Sequence, residues 1–286
     1  MNRPLFTMIM TLCVIFPAIA EDEFFNLPIV VPTPEASEFK VHKDLVYLDT
    51  NDDRTRADIY LPNDTDKKHS AIIFVHGGPI PKDLPMAKDW KVFQSYGSLV
   101  TSVGLAGVVF NHRFNSLNDL QKATRDITAT VNFVRKNAEK YSIDKDDICL
   151  WFFSGGGSFV PHFLSERPEW LKCMVLYYTT MGSEVWESWG KNISDVRQTS
   201  LDPIPFLKSK SDWAPAFFIA ESGKDDTELN AGLQHFFLTA IRNGWKAEYW
   251  NHPTAPHGFD VEQNDKRSRA IILRTLDFLS EQLFLN

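Results

Sequence analysis

Four short stretches of the chain carry residue types that can do chemistry together. WFFSGGGS, residues 151–158, sets Ser154 between bulky apolar residues and three glycines. ESGKDD, residues 221–226, offers three carboxylates, Glu221, Asp225 and Asp226. A later loop ends in Pro256-His257-Gly258-Phe259, with His252 five residues before His257. Earlier in the chain stands His76-Gly77-Gly78-Pro79. A serine hydroxyl is a poor nucleophile until a neighbouring base takes its proton. Histidine, with an ordinary pKa of about 6.5, suits that task at neutral pH. The imidazolium that forms needs a buried carboxylate, and a tetrahedral oxyanion needs preorganised N–H donors.

Three of the stretches directly follow apolar runs, and the histidine stretch ends a loop that follows KAEYWN. AIIFVH, GLAGVVFNH, DICLWFF, CMVLYY and APAFFIA are short and continuous, as strands buried on both faces of a parallel sheet are. Helical patterns alternate with them. Apolar residues at three- and four-residue steps predict an amphipathic helix from Leu117 to Lys140. A second helix carries Leu229, Leu233, Phe237 and Ile241 and stops at Gly244. A third carries Ile272, Leu276, Leu279 and Leu283. Before them, DLVYLDT and RADIYLP alternate as a half-exposed antiparallel pair around the turn Asn51-Asp52-Asp53. The expected architecture is α/β, a mostly parallel sheet of about eight strands flanked by helices. Open parallel sheets bind ligands at the carboxyl ends of their strands, where the four stretches fall.

The sequence resembles the α/β-hydrolases, and within them the dienelactone hydrolase-like, feruloyl esterase-like and acetyl-xylan esterase-like serine hydrolases. VHGG, the block NAEKYSIDKDDICLWFFSGGG, the glycine–aspartate turn and PHGF carry the resemblance, which runs from about Asp44 to the C-terminus. It implies Ser154 as nucleophile, His257 as its base and Asp225 as the acid that orients the histidine. Asp226 is the runner-up acid and Glu221 the third. His252 is the runner-up base. Gly155 is the expected oxyanion donor beside the nucleophile. The second donor is Gly78 or Gly77, with Gly78 preferred, since Pro79 has no N–H. His76 is read as a brace for that loop.

The usual nucleophile turn is G-x-S-x-G, and Phe152 stands where the first glycine belongs. Gly155, Gly156 and Gly157 are expected to supply the missing space on the helix side. Phe152 is expected to point away from the following helix. His252 and His257 as a metal pair lack an evenly spaced, carboxylate-rich ligand set, so neither a metal nor a cofactor is expected.

With 43% hydrophobic and 23% charged residues in 286, the chain has an ordinary soluble balance. A net charge of −7 argues against a nucleic-acid partner. Residues 1–20, MNRPLFTMIMTLCVIFPAIA, read as a secretory signal peptide cleaved after Ala20, which implies a secreted or periplasmic protein with no stable membrane insertion. Residues 21–43 read as an extended leader, 44–286 as one hydrolase domain, and 181–213 as an excursion over the strand ends. Trp186, Trp189 and Trp213 in that excursion either line a pocket or pack. Cys149 and Cys173 are expected as buried free thiols, because neighbouring parallel strands are awkward to bridge. Asn63-Asp64-Thr65 and Asn192-Ile193-Ser194 are glycosylation sequons that matter only in a eukaryotic secretory route. The functional expectation is a secreted serine esterase acting on small-molecule esters. Its alternatives are a catalytically inactive binding protein on the same scaffold, or a lactonase or peptidase using the same triad.

Overall fold

Residues 24–64, 66–191, 193, 201–208 and 213–284 are described by the structure, a computed structural model. The expected signal peptide, residues 1–20, lies outside them, as do Asn192, Ser194 and much of the excursion. The strands are β1 (Phe39–Val46), β2 (Arg56–Pro62), β3 (His69–Val75), β4 (Ala106–Phe110), β5 (Ile143–Phe153), β6 (Leu171–Tyr177), β7 (Ala216–Ser222) and β8 (Ala247–His252). They form one sheet in the order β1-β2-β4-β3-β5-β6-β7-β8. β1 and β4 both run antiparallel to β2, and every other neighbouring pair is parallel. The expected α/β class with eight strands is the one observed.

The apolar runs are continuous because both faces of the sheet are covered. Alternate residues of β3 go to opposite layers. Ile73 and Val75 pack with helices α2 (Leu120–Lys136), α3 (Val160–Glu166) and α6 (Thr227–Arg242). Ile72 and Phe74 pack with α1 (Lys91–Leu99) and α8 (Lys266–Phe284). Three shorter helices are α4 (Glu184–Ser188), α5 (Ile204–Leu207) and α7 (Phe259–Glu262). Rings fill the second layer: Trp151 lies 4.8 Å from Tyr96 and 4.9 Å from Tyr177 between centroids.

Several expectations need correction. The long helix is α2 alone, with Leu117–Asp119 as a tight 3₁₀ turn before it. In α6 the buried stripe is Leu229, Leu233, Phe236 and Ala240, while Ile241 is 42% exposed. A strict four-residue step drifts around a 3.6-residue helix, so Ile241 rotates off the core face while Phe237 keeps a half-buried place against it. The α8 stripe of Ile272, Leu276, Leu279 and Leu283 is buried as read. β2 is buried along all but its first residue rather than half-exposed, because β1 and β4 flank it and the ring of Tyr60 is packed closely against α1 at Gly97.

Cys149 and Cys173 form a disulfide, not a pair of free thiols. They are direct partners in the β5–β6 register, and their Cα atoms are 4.8 Å apart. Both side chains point into the layer shared with α1 and α8. Separation in sequence is 24 residues, for which loop closure in the unfolded chain is worth about 3.5 kcal/mol.

Residues 25–31 of the leader are tied down. The Phe25 ring lies 4.9 Å from that of Trp90, and its carbonyl accepts a hydrogen bond of 2.8 Å from Lys91 N at the start of α1. Ile29 and Val31 are buried, and Val30 N donates to the carbonyl of Asp260 in α7 at 2.8 Å. This strap holds together α1 and the segment just after His257.

Candidate active site

β5 ends at Phe153, and Ser154 turns the chain with a left-handed φ of 51°. A non-glycine residue held there costs of order 1–3 kcal/mol and is kept only where its surroundings enforce it. The enforcement is visible. A 3₁₀ turn from Ser154 to Phe159 leads into α3, with Pro161 in the first turn of the helix, where its missing N–H is harmless. Thr180 N donates to the Ser154 carbonyl at 3.0 Å. A Cβ on Gly155 would stand 2.0 Å from the Gly78 carbonyl oxygen, and one on Gly157 would stand 2.1 Å from that of Thr180. The glycines therefore let two loops close on the turn from opposite sides, the helix-side relief read from the sequence.

Phe152 does not point away from the helix. Its ring faces Phe163 of α3 at 6.1 Å, and it is fully buried. Strand alternation decides this: Phe152 shares a face with Leu150, and that face is the α2–α3 side. The six-residue 3₁₀ turn delays α3 and leaves room for a ring beneath it.

The structure brings together Ser154, His257 and Asp225. His257 Nε2 lies 2.9 Å from Ser154 Oγ, and His257 Nδ1 lies 2.5 Å from Asp225 Oδ2. The two side chains of the His–Asp pair are 7% and 1% exposed. An ionised carboxylate only accepts, so Nδ1 carries the proton and Nε2 is free to accept from the serine hydroxyl. The loops that carry acid and histidine are stitched to each other: Gly223 N donates to His252 O at 2.8 Å and Lys224 N to Ala255 O at 3.0 Å.

The adjacent aspartates divide. The other oxygen of Asp225 accepts from Asp226 N at 2.8 Å. Asp226 turns away and caps α6, accepting from Glu228 N at 2.9 Å and Leu229 N at 3.2 Å. Asp226→Ala is thus expected to lower stability by about 1 kcal/mol, a typical N-cap loss. Activity per folded molecule should stay within threefold, checked by denaturant melts and initial rates on the same samples. Glu221 pairs with Tyr249, Asn251 and Gln234 on the β8 flank. His252 is bound to Asp265 at 3.1 Å, so the two histidines serve different partners.

His76 braces the glycine loop as read. Its Nδ1–H donates to Gly77 O at 2.6 Å, and its Nε2 accepts from His112 N at 3.1 Å. The two imidazoles stack at 3.5 Å with planes 3° apart, and His112 Nε2 donates to His76 O at 3.0 Å. Burial holds His76 well below its ordinary pKa and His112 at about 3, so the stack is neutral. Neither Gly77 N nor Gly78 N has a hydrogen-bond acceptor among the described residues. Gly155, second in its turn, has no carbonyl to reach within the helix. Trp186 is buried and donates to Ser158 Oγ at 3.1 Å, while the Trp213 indole, near the amino end of β7, donates to Pro168 O, just before β6, at 2.8 Å. Trp189 packs edge-on to Trp186 at 5.3 Å.

Three residues near the histidine escaped the sequence reading. Tyr178 follows β6 and lies 4.5 Å from the His257 ring between centroids. Asp260 is fully buried and accepts from the hydroxyls of Tyr96 and Tyr178, each at 2.6 Å. Glu262 has one carboxyl oxygen buried without a partner among the described residues. The signals were an acid three residues after the histidine in PHGFD and a second tyrosine past the end of a strand.

Burial holds the Glu262 carboxyl at about 7, with His257 pulling it down and Asp260 pushing it up. A folded-state value above the unfolded one means stability that is full below about 4.5 and lost as pH rises through about 7. Glu262→Gln is expected to match the parent Tm near pH 4.5 and to exceed it increasingly up to pH 8. Melts at five pH values check this; a difference that does not grow across the window overturns it.

A family model described as BD-FAE, an α/β-hydrolase-type esterase family, matches residues 57–161, from β2 into α3. No curated protein matches the chain. Among solved structures, a truncated carbohydrate esterase from gut microbiota superposes with a TM-score of 0.69 at 18% identity, over 88% of this chain and 99% of that one. Esterase B from Lactobacillus rhamnosis, bound to a tributyrin phosphonate, gives 0.66 at 17% identity over 88% of each chain. A bifunctional GH43-CE protein from Bacteroides eggerthii gives 0.67 at 19% identity over 85% of this chain, which spans only 38% of that protein. The fold is that of the α/β-hydrolases.

Proposed function

We propose that this α/β-hydrolase-fold chain is a secreted serine esterase that cleaves carboxylic esters through an acyl-enzyme on Ser154. The observation that carries the reading is the unbroken line from Ser154 Oγ to His257 Nε2 at 2.9 Å and from His257 Nδ1 to Asp225 at 2.5 Å. In the first step Ser154 Oγ bonds to the ester carbonyl carbon while its proton passes to His257 Nε2. Asp225 faces the imidazolium and stabilises its charge. The oxyanion is received by the N–H of Gly155 and that of Gly78, or of Gly77 if the substrate sits lower. His257 then returns the proton to the departing alkoxide as the C–O bond breaks. Water, deprotonated by the same base, releases the acid and restores Ser154.

Similarity to carbohydrate esterases and to a phosphonate-bound esterase supports an ester substrate of small-molecule size. The disulfide supports export, since such bonds persist in oxidising compartments. Among the described residues no helix is long and apolar enough to cross a membrane. Fluorophosphonate labelling tests the reading. One equivalent should react with the parent and none with Ser154→Ala, and the parent should turn over p-nitrophenyl acetate. A folded parent that neither labels nor turns over is a binding protein instead.

A further inference from the structure

We propose that Tyr178, latched by Asp260, is a positioning residue for His257, an inference that rests on the catalytic reading of Ser154, His257 and Asp225. Asp225 fixes one end of the imidazole, but a single hydrogen bond at Nδ1 leaves the ring free to swing about that contact. Something must stop the swing, or Nε2 leaves the serine. The Tyr178 ring stands against the imidazole at 4.5 Å, inclined by 57°. Tyr178 is itself held at three points. Its N–H donates to Ala220 O at 2.8 Å, its ring meets that of Phe259 edge-on at 5.7 Å, and its hydroxyl donates to Asp260 Oδ1 at 2.6 Å.

The backbone of Tyr178 supplies a second, independent sign. Its φ is 40°, a left-handed value that an aromatic residue adopts only under constraint. Among the described residues five outside glycine have positive φ; Asp44 lies at the irregularity in β1, Ser142 just before β5 and Arg167 at the end of α3, while Ser154 and the residue facing its base are the other two. The latch at the far end is strong in kind. A fully buried carboxylate that accepts two tyrosine hydroxyls makes charge-assisted bonds in a low-dielectric setting. Burial pushes Asp260 above the usual carboxylate range, while the two hydroxyls and His257 pull it back toward the charged form. Asp260 also lies three residues after His257 on α7. One carboxylate therefore ties the wall behind the imidazole to the segment that carries the imidazole.

A purely structural network makes a different forecast, because Tyr96 donates to the same carboxylate from α1 without touching His257. Tyr178→Phe keeps the ring and removes the latch; Tyr178→Ala removes both; Tyr96→Phe removes only the other hydroxyl. All three are measured for Tm, for kcat and KM on p-nitrophenyl acetate, and for the rate of fluorophosphonate labelling. Tyr178→Phe is expected to lower kcat and the labelling rate about tenfold with KM within twofold, and Tyr178→Ala about a hundredfold. Tyr96→Phe should lose a similar increment of Tm yet keep kcat within twofold. Equal kcat losses for Tyr178→Phe and Tyr96→Phe, or a parental labelling rate in Tyr178→Phe, overturn the proposal while the triad stands. A parent that does not label at Ser154 overturns both.

Discussion

Exchanging His257 for alanine is expected to lower kcat by about a millionfold, and Asp225 for asparagine by about ten-thousandfold. The first loss is large because nothing replaces the base. Glu221 is committed to Tyr249, Asn251 and Gln234, and His252 to Asp265. The second loss has a tautomeric origin. Asp225 accepts from Nδ1 at 2.5 Å in a nearly closed setting, 1% exposed. An asparagine amide turned to donate there would leave the proton on Nε2, which faces the serine, and the base would be lost without moving an atom far. KM should change little in either variant, since neither group is needed to hold the ground-state ester. Alanine at 257 also strands the buried Asp225 carboxylate, so rates are compared on samples shown by melting to be folded. A His257→Ala protein within tenfold of the parent kcat would remove the triad from the account.

Gly155→Ala is the second large effect. A Cβ there meets the Gly78 carbonyl oxygen at 2.0 Å, and both partners are backbone, so no side-chain rotation relieves the contact. The loop of Gly77 and Gly78 must shift, and with it the N–H groups proposed to receive the oxyanion. Misplacing one donor typically costs about 3 kcal/mol in the transition state. The expected result is a kcat lower by two to three orders of magnitude, with an overpacking loss of about 1–3 kcal/mol in stability. Gly157→Ala serves as the control. Its contact, 2.1 Å from the Thr180 carbonyl, falls on the opposite side, so it should cost comparable stability and less activity. Urea melts and kcat on both variants separate the two effects; an inactive Gly157→Ala beside an active Gly155→Ala would show the oxyanion loop to be misassigned.

The serine, the acids and the glycine loop were legible because each comes just after an apolar run, the histidine because its loop follows the last strand pattern, and a parallel sheet gathers strand ends at one edge. The choice between Asp225 and Asp226 was legible only as a preference. The spatial division came from a local rule, that an aspartate starting a helix turns to cap it, and the start of α6 was not assigned from the pattern. The disulfide was misread for a reason of register. Whether two cysteines on neighbouring parallel strands can bridge depends on whether they fall opposite each other, and the apolar runs of β5 and β6 carry no mark of their alignment. Phe152 was misjudged because the missing glycine drew attention to space, while strand parity, counted from the buried Leu150, decides the face. Tyr178 and Asp260 were invisible as a pair. They lie 82 residues apart, and each is plausible alone as packing or as a helix start.

The strap at residues 25–31 has a consequence for the order in which the protein becomes competent. A chain is synthesised amino end first, so Phe25 and Val30 are made long before Asp260, the residue whose carbonyl Val30 grips. Contacts of such span close late in folding, because loop entropy must be met before they form. The serine on its strained turn can be built from the middle of the chain, but the histidine segment settles only when the two ends of the sequence meet. A partly emerged chain thus carries Ser154 on its turn without a seated His257, and the arrangement proposed for ester cleavage arrives as a property of the completed molecule.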